Sequence, residues 1–177
     1  MKAQLKDIIV PLIITLLILI VLEIISTALL PALGVQKYII PFNILIVLYL
    51  GFKLETPYLS VIILIVQYFH SFFSIEGWEL GTIAGVFICI VISYLRDVLH
   101  FSSAIITIAV TQIFQLVWFF TVSFLFYLKT NSFSLIVEKM WRFIPESIVI
   151  SLLAPFFFAI LDRIWSTGGE GMLGDDA

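Results

Sequence analysis

The sequence has little charge and a single cysteine. Only 12% of its 177 residues are Asp, Glu, Lys or Arg, whereas 62% are hydrophobic, and the mean hydropathy is +1.21. So few charges cannot cover the surface of a water-soluble domain, which predicts that most of the chain lies in lipid. Cys89 stands alone, which excludes an internal disulfide and a cysteine metal cluster. The net charge of -3 lacks the basic excess that nucleic-acid binding requires.

Six apolar runs follow one another along the chain and predict a helical membrane domain. They cover residues 8–30, 38–52, 58–73, 80–95, 101–128 and 148–164. A bilayer core about 30 Å thick needs roughly 20 apolar residues in a helix, so the first and fifth runs span it easily. The runs lack the polar alternation of a membrane barrel, which leaves α-helices. The second and third runs are short enough to form a re-entrant hairpin instead.

Short breaks with turn residues separate the runs, so consecutive helices should be antiparallel neighbours. This predicts an all-α, up-and-down bundle of about six transmembrane helices. Residues 1–167 would form one domain, and the Gly-rich acidic tail over 168–177 would be disordered. Lys2 and Lys6 precede the first run and favour cytoplasmic termini. The length of that run indicates a retained helix and not a cleaved signal.

The connection between the fifth and sixth runs has a helical pattern of its own. Apolar side chains follow helical spacing over residues 135–144, and the charged side chains fall mostly on the other face. The pattern predicts an amphipathic helix at the membrane interface, which Trp141 anchors at headgroup depth and Pro145 ends.

Glu23 is an acidic residue deep within an apolar run. A carboxyl near mid-membrane is costly, so it should be buried among helices and either protonated or paired. No Lys or Arg lies deep within a run, so we expect amide partners and favour a structural hydrogen bond over transport chemistry. The candidate partners are Asn43, Gln67, Gln112 and Gln115.

Two stripes indicate helix packing. Small side chains recur at every fourth position of the fourth run, where they permit close approach of a neighbouring backbone. They are Gly81, Gly85, Cys89 and Ser93. The partner of this stripe could be an internal helix or another protein. Thr107, Thr111 and Gln115 form a polar stripe on the fifth run, for which interhelical hydrogen bonds are favoured over a ligand-lined cavity.

No set of residues predicts an enzyme. His70 and His100 lie far apart, and the chain has no HExxH-type pair of metal ligands. The serines near these histidines show no nucleophile elbow and no Ser-Lys arrangement. We therefore interpret both histidines as interfacial side chains and expect no cofactor or metal.

Two segments share features with a known family. Residues 140–165 contain an interfacial segment, Pro145, an apolar helix with Pro155 near its middle, and a Leu-Asp-Arg sequence ending at Arg163. Residues 81–104 form a Gly-rich run that ends in Arg96 and Asp97. In these features the chain resembles MreD, a family of bacterial rod shape-determining proteins.

The resemblance implies a non-enzymatic, multi-pass subunit of the cell-elongation machinery in the bacterial inner membrane. Its partners would be an MreC-like protein and, through it, a RodA-like glycosyltransferase, a class B penicillin-binding transpeptidase and MreB filaments. Arg96, Asp97, Pro155 and Arg163 would lie at helix ends or partner contacts. The family is similar in architecture to energy-coupling-factor S-components. The alternative is therefore a substrate-binding subunit of a vitamin-type transporter, with Glu23, Asn43, Gln67, Thr111 and Gln115 available to line its cavity.

Overall fold

The computed structural model describes residues 5–32, 34, 38, 40–54, 56–74, 77–95, 103–131 and 133–166. The predicted acidic tail, Arg96, Asp97 and His100 lie outside these ranges. The described chain forms six helices. α1 covers residues 5–32, with a π-helical turn at Ile25–Leu29 between Leu5–Ile24 and Leu30–Ala32. The others are α2 (Phe42–Lys53), α3 (Leu59–Ser71), α4 (Trp78–Leu95), α5 (Ala104–Thr130) and α6 (Phe133–Ser166).

Three of the described helices are long and apolar enough to cross a membrane: α1, α5 and α6. The helical class predicted from the sequence is confirmed, and membrane-spanning length is confirmed for these three. α2, α3 and α4 are shorter apolar helices. The outer surface carries bulky apolar side chains, of which Phe120 (66% exposed) and Phe156 (74% exposed) are examples. Such a surface suits hydrocarbon and not water.

α2 lies at the centre of the bundle. It contacts every other helix, and α1, α3, α4, α5 and α6 form a closed ring around it, each touching two ring neighbours. Every residue of α2 from Phe42 to Phe52 is buried. A helix that is apolar on all sides, as α2 nearly is, belongs in such a core. The ring places α1 beside α3 and α6, neither of which follows it directly in sequence.

Contacts between helix ends show that consecutive helices alternate in direction. Ser26 Oγ, near the end of α1, accepts a hydrogen bond from the Ile40 N–H just before α2, over 2.8 Å. Lys129 Nζ at the end of α5 lies 3.7 Å from Glu79 Oε2 at the start of α4. We call the end where α1, α3 and α5 finish the His70 end. The opposite end, which holds the start of α1 and the finish of α6, is the terminal end.

α6 continues through Pro145 and Pro155 without a break. The expectation that Pro145 ends a separate interfacial helix is therefore wrong. Packing on α5 holds both sides of this proline. Phe143 stacks on Phe119 with ring centroids 4.5 Å apart, and Ser147 accepts a hydrogen bond from Gln112 over 3.1 Å. These contacts offset the loss of one backbone hydrogen bond at the proline.

Candidate functional site

Glu23, which is buried, and His70, which is partly exposed, form a pair between α1 and α3. Glu23 Oε1 lies 2.7 Å from His70 Nδ1, and the glutamate is 0% exposed. The expectation of an amide partner for Glu23 is therefore wrong. His70 lies in the last turn of α3 with 15% of its side chain exposed, and its interfacial position stays a prediction. The hydrogen bond offsets part of the cost of burying the carboxyl, whose Oε2 has no hydrogen-bond partner among the described residues. It arises because the ring brings the last turns of α1 and α3 together.

Gln67 joins α3 to α2 and α4. Its Oε1 accepts a hydrogen bond from Asn43 Nδ2 over 3.2 Å, and both side chains are buried. On the α4 side, a Cβ at Gly81 would lie 2.8 Å from Gln67 Oε1, and one at Gly85 would lie 3.1 Å from Ile63 Cγ2. The first half of the small-residue stripe therefore packs inside the bundle against α3.

Further along, the same stripe approaches α2. Cys89 is buried, and a Cβ at Gly51 of α2 would lie 3.5 Å from its Sγ. The side chain of Ser93 lies outside the described part of the structure. The described stripe thus has packing partners within this chain, α3 and α2.

An open cavity of about 430 Å³ lies at the His70 end and is lined by residues of α2 to α6. Its polar lining residues are Asn43, His70 and Ser74, and the glycines at 77 and 81 also contribute. Most of the lining is apolar or aromatic, and α6 adds charged side chains. These residues include Phe73, Trp118, Phe119, Phe126, Phe143, Glu138, Lys139, Arg142 and Glu146. The volume and the mixed lining suit a small ligand held by non-covalent contacts.

Two buried side chains outside the lining, Glu23 and Gln67, hydrogen-bond to polar residues that line the cavity. Glu23 bonds to His70, and Gln67 bonds to Asn43. Of the five intramembrane polar residues predicted from the sequence, Asn43 alone is among the described lining residues. It is 2% exposed, and its Oδ1 takes no hydrogen bond from the residues described.

Gln112 and Gln115 lie away from the cavity and bond between α5 and α6. Gln115 Nε2 donates to Ser151 Oγ over 2.9 Å and to the Ser147 carbonyl over 3.3 Å. Gln112 Oε1 accepts from Ser151 Oγ over 2.8 Å. Of the stripe, Gln115 alone makes the predicted interhelical hydrogen bonds among the described residues. Thr107 Oγ1 donates to the Ser103 carbonyl of its own helix end over 3.2 Å, and Thr111 Oγ1 is buried without a partner in the described structure. No sequence pattern indicates that Ser147 and Ser151 of α6 take part in these hydrogen bonds.

Phe119 and Phe143 separate the cavity from a second space. Their rings stack at an interplanar angle of 26° and line both the cavity and an apolar groove of about 310 Å³ on the α5–α6 surface. The rest of the groove consists of Gln112, Leu116, Phe120, Met140, Ile144, Ser147 and Ile148. One aromatic pair thus lies between the cavity and a lipid-facing groove.

The residues assigned by resemblance on α6 lie outside this site. Pro155 is half-buried within α6, and Arg163 is exposed at the terminal end. Beside Arg163, Asp162 Oδ1 accepts a hydrogen bond from the Tyr49 hydroxyl of α2 over 3.0 Å. The terminal end is therefore fastened to the central helix.

Among the described residues, no group of three His, Cys, Asp or Glu side chains could hold a metal ion. Comparisons with protein-family models, curated proteins and solved structures found no match for this chain. Assignment of a function therefore rests on the geometry described above and on the resemblance of the two segments.

Proposed function

We propose that this chain is a non-enzymatic membrane subunit that holds partner proteins, in the role that the resemblance to MreD implies. It would bind an MreC-like protein in the bacterial inner membrane. Through that protein it would connect to a RodA-like glycosyltransferase, a class B transpeptidase and MreB filaments.

The observation that carries this proposal is the length of α6. Its 34 residues extend about 50 Å at 1.5 Å per residue, about 20 Å more than a bilayer core. The first half also exposes large aromatic side chains, with Phe133 67% and Trp141 70% exposed, next to the exposed Glu138–Arg142 ion pair. Aromatic and arginine side chains in such a setting are typical anchors of protein interfaces.

Co-purification with an MreC-like protein tests this role. The double variant Phe133→Ala, Trp141→Ala should lose most of the bound partner while its thermal unfolding in detergent stays unchanged, because both side chains are exposed. Phe124→Ala is the matched control, since Phe124 is 62% exposed on α5. Trp141→Tyr separates membrane anchoring from partner contact, because tyrosine also favours the interface.

Depletion of the protein should round rod-shaped cells and release the MreC-like protein from its complex. Equal recovery of that partner with the double variant and with Phe124→Ala would contradict the proposed surface. Rod shape that persists after depletion would contradict the role itself.

The second candidate function is the substrate-binding subunit of a vitamin-type transporter. The cavity at the His70 end favours it, because about 430 Å³ suits a small molecule. Tryptophan fluorescence of the purified protein, titrated with water-soluble vitamins, tests this candidate, since Trp118 lines the cavity. Nanomolar binding together with co-purification of an ATPase module, and no MreC-like partner, would favour transport.

A further inference from the structure

We infer that the cavity and the α5–α6 groove together form one binding site for a zwitterionic phospholipid of the phosphatidylethanolamine type. The headgroup would lie in the cavity and an acyl chain in the groove. This site goes beyond the holding of partner proteins and does not depend on it.

Continuity between the two spaces supports a ligand that occupies both. Phe119 and Phe143 line the cavity on one side and the groove on the other. Closer to mid-membrane, the hydrogen bond from Gln112 to Ser147 closes the contact between α5 and α6. A ligand that passes from lipid into the cavity would therefore cross at the aromatic pair. Movement of these two stacked rings would open this crossing.

The groove suits an acyl chain. It faces outward from two helices that are long and apolar enough to cross a membrane. Its apolar side chains are exposed, with Leu116 at 40%, Phe120 at 66% and Ile148 at 51%. Hydrocarbon surrounds such a surface in a bilayer, so a lipid chain is its occupant at no desolvation cost.

The charges of the cavity suit a zwitterion. Among its described lining residues, Glu138 and Glu146 balance Lys139 and Arg142. Arg142 is ion-paired with Glu138, and a zwitterion can enter this pair with its phosphate on the Arg142 guanidinium. A ligand ammonium would find carboxylates and the faces of Trp118 and its neighbouring aromatic rings. A lipid with a net negative charge would be attracted to the basic side chains but repelled by the carboxylates of Glu138 and Glu146.

Native mass spectrometry of the full-length protein in detergent tests the site directly. We expect phosphatidylethanolamine to remain bound at least about tenfold better than phosphatidylglycerol with the same acyl chains. Arg142→Gln should weaken phosphatidylethanolamine binding about tenfold, the effect of one charge-assisted hydrogen bond. Arg163→Gln, an exposed arginine at the terminal end, should leave it unchanged.

A second experiment distinguishes binding of a whole lipid from binding of its free headgroup. Glycerophosphoethanolamine, which has no acyl chains, should not displace the bound lipid at concentrations at which phosphatidylethanolamine does. Ile148→Trp, which fills the groove, should weaken lipid binding severalfold. Equal retention of the two lipids by the unmodified protein would overturn the inference, because it would indicate lipid held without recognition of its headgroup. Displacement by glycerophosphoethanolamine at equal concentration would also overturn it, and that comparison needs no variant to fold.

Discussion

Trp165 Nε1 donates a hydrogen bond to Thr15 Oγ1 over 3.2 Å, although 150 residues separate the two in the chain. Both side chains are 0% exposed. Thr15 Oγ1 in turn donates to the Pro11 carbonyl over 2.8 Å, so its lone pairs remain available to the indole. This contact joins the last turns of α6 to α1 and closes the ring of five helices.

A double-mutant cycle should detect this closure. Trp165→Phe and Thr15→Val each remove one partner, and each should lower the free energy of unfolding by about 1 kcal/mol. Because they remove the same hydrogen bond, the two effects should fall short of additivity by about 0.5–1 kcal/mol. Reversible unfolding in mixed micelles measures this quantity. Full additivity would show that the contact contributes nothing to stability.

Substitutions in the Glu23–His70 pair should lower the stability of the protein by different amounts. Glu23→Gln keeps an oxygen that can accept from His70 Nδ1–H and should cost about 1 kcal/mol. Glu23→Leu leaves the imidazole without its partner, and His70→Leu leaves a buried carboxyl, which should cost about 3–5 kcal/mol. Thermal unfolding in detergent gives this order.

Replacing both members of the pair should recover much of the loss, because no unpaired polar group then remains. The double variant Glu23→Leu, His70→Leu should therefore be more stable than His70→Leu alone. If Glu23→Gln destabilised the protein as much as Glu23→Leu, ionisation of the carboxyl and not its hydrogen bond would be the important property.

Added volume at Gly85 should disrupt the packing of α4 on α3. A Cβ there already lies 3.1 Å from Ile63 Cγ2, and Gly85→Leu adds three more carbons. Overpacking of this kind costs about 1–3 kcal/mol or more. Ala159→Leu is the matched control, since Ala159 is exposed on α6. Similar unfolding temperatures for the two variants would contradict this assignment of the stripe.

The positive-inside rule and the alternation of helices predict the orientation of the bundle. In a Cys89→Ala background, the Lys129→Cys variant places a thiol at the His70 end and Ser166→Cys places one at the terminal end. A membrane-impermeant maleimide added to intact cells should label the Lys129→Cys protein only, since Lys2 and Lys6 favour cytoplasmic termini. Both variants should react in permeabilised cells. Labelling of Ser166→Cys alone in intact cells would reverse the topology.

Four helices lie where the apolar runs predict them. α1, α3, α4 and α5 begin and end within about three residues of the predicted runs 8–30, 58–73, 80–95 and 101–128. For the longest two, α1 and α5, the length of the run alone requires a helix that matches the bilayer. α6 was divided at Pro145 because local propensity disfavours proline within a helix. Contacts with α5 on both sides of that proline override the propensity. These contacts are tertiary, so the local sequence does not reveal them.

The pairing of polar side chains could not be predicted because it depends on which helices meet. Glu23 was recognised as buried from its position within an apolar run. Its partner, His70, required the contact of α1 with α3, which consecutive antiparallel packing does not supply. The cavity was missed for the same reason, because five helices contribute to it and its charged lining residues belong to the segment assigned to the interface.

The central position of α2 sets an order for biogenesis. Its 12 residues extend only about 18 Å, too short to cross a bilayer core of about 30 Å unaided. A newly inserted α2 would leave backbone groups at its ends unsatisfied in hydrocarbon. At and just before its first turn α2 contacts α1 and α3. Near its last turn Gly51 packs on Ile92 of α4 and Tyr49 donates to Asp162 of α6, and these two helices are synthesised later. Chains truncated before α6 should therefore be substrates for membrane proteases. The innermost helix is fully packed only after the ribosome has synthesised nearly the whole polypeptide.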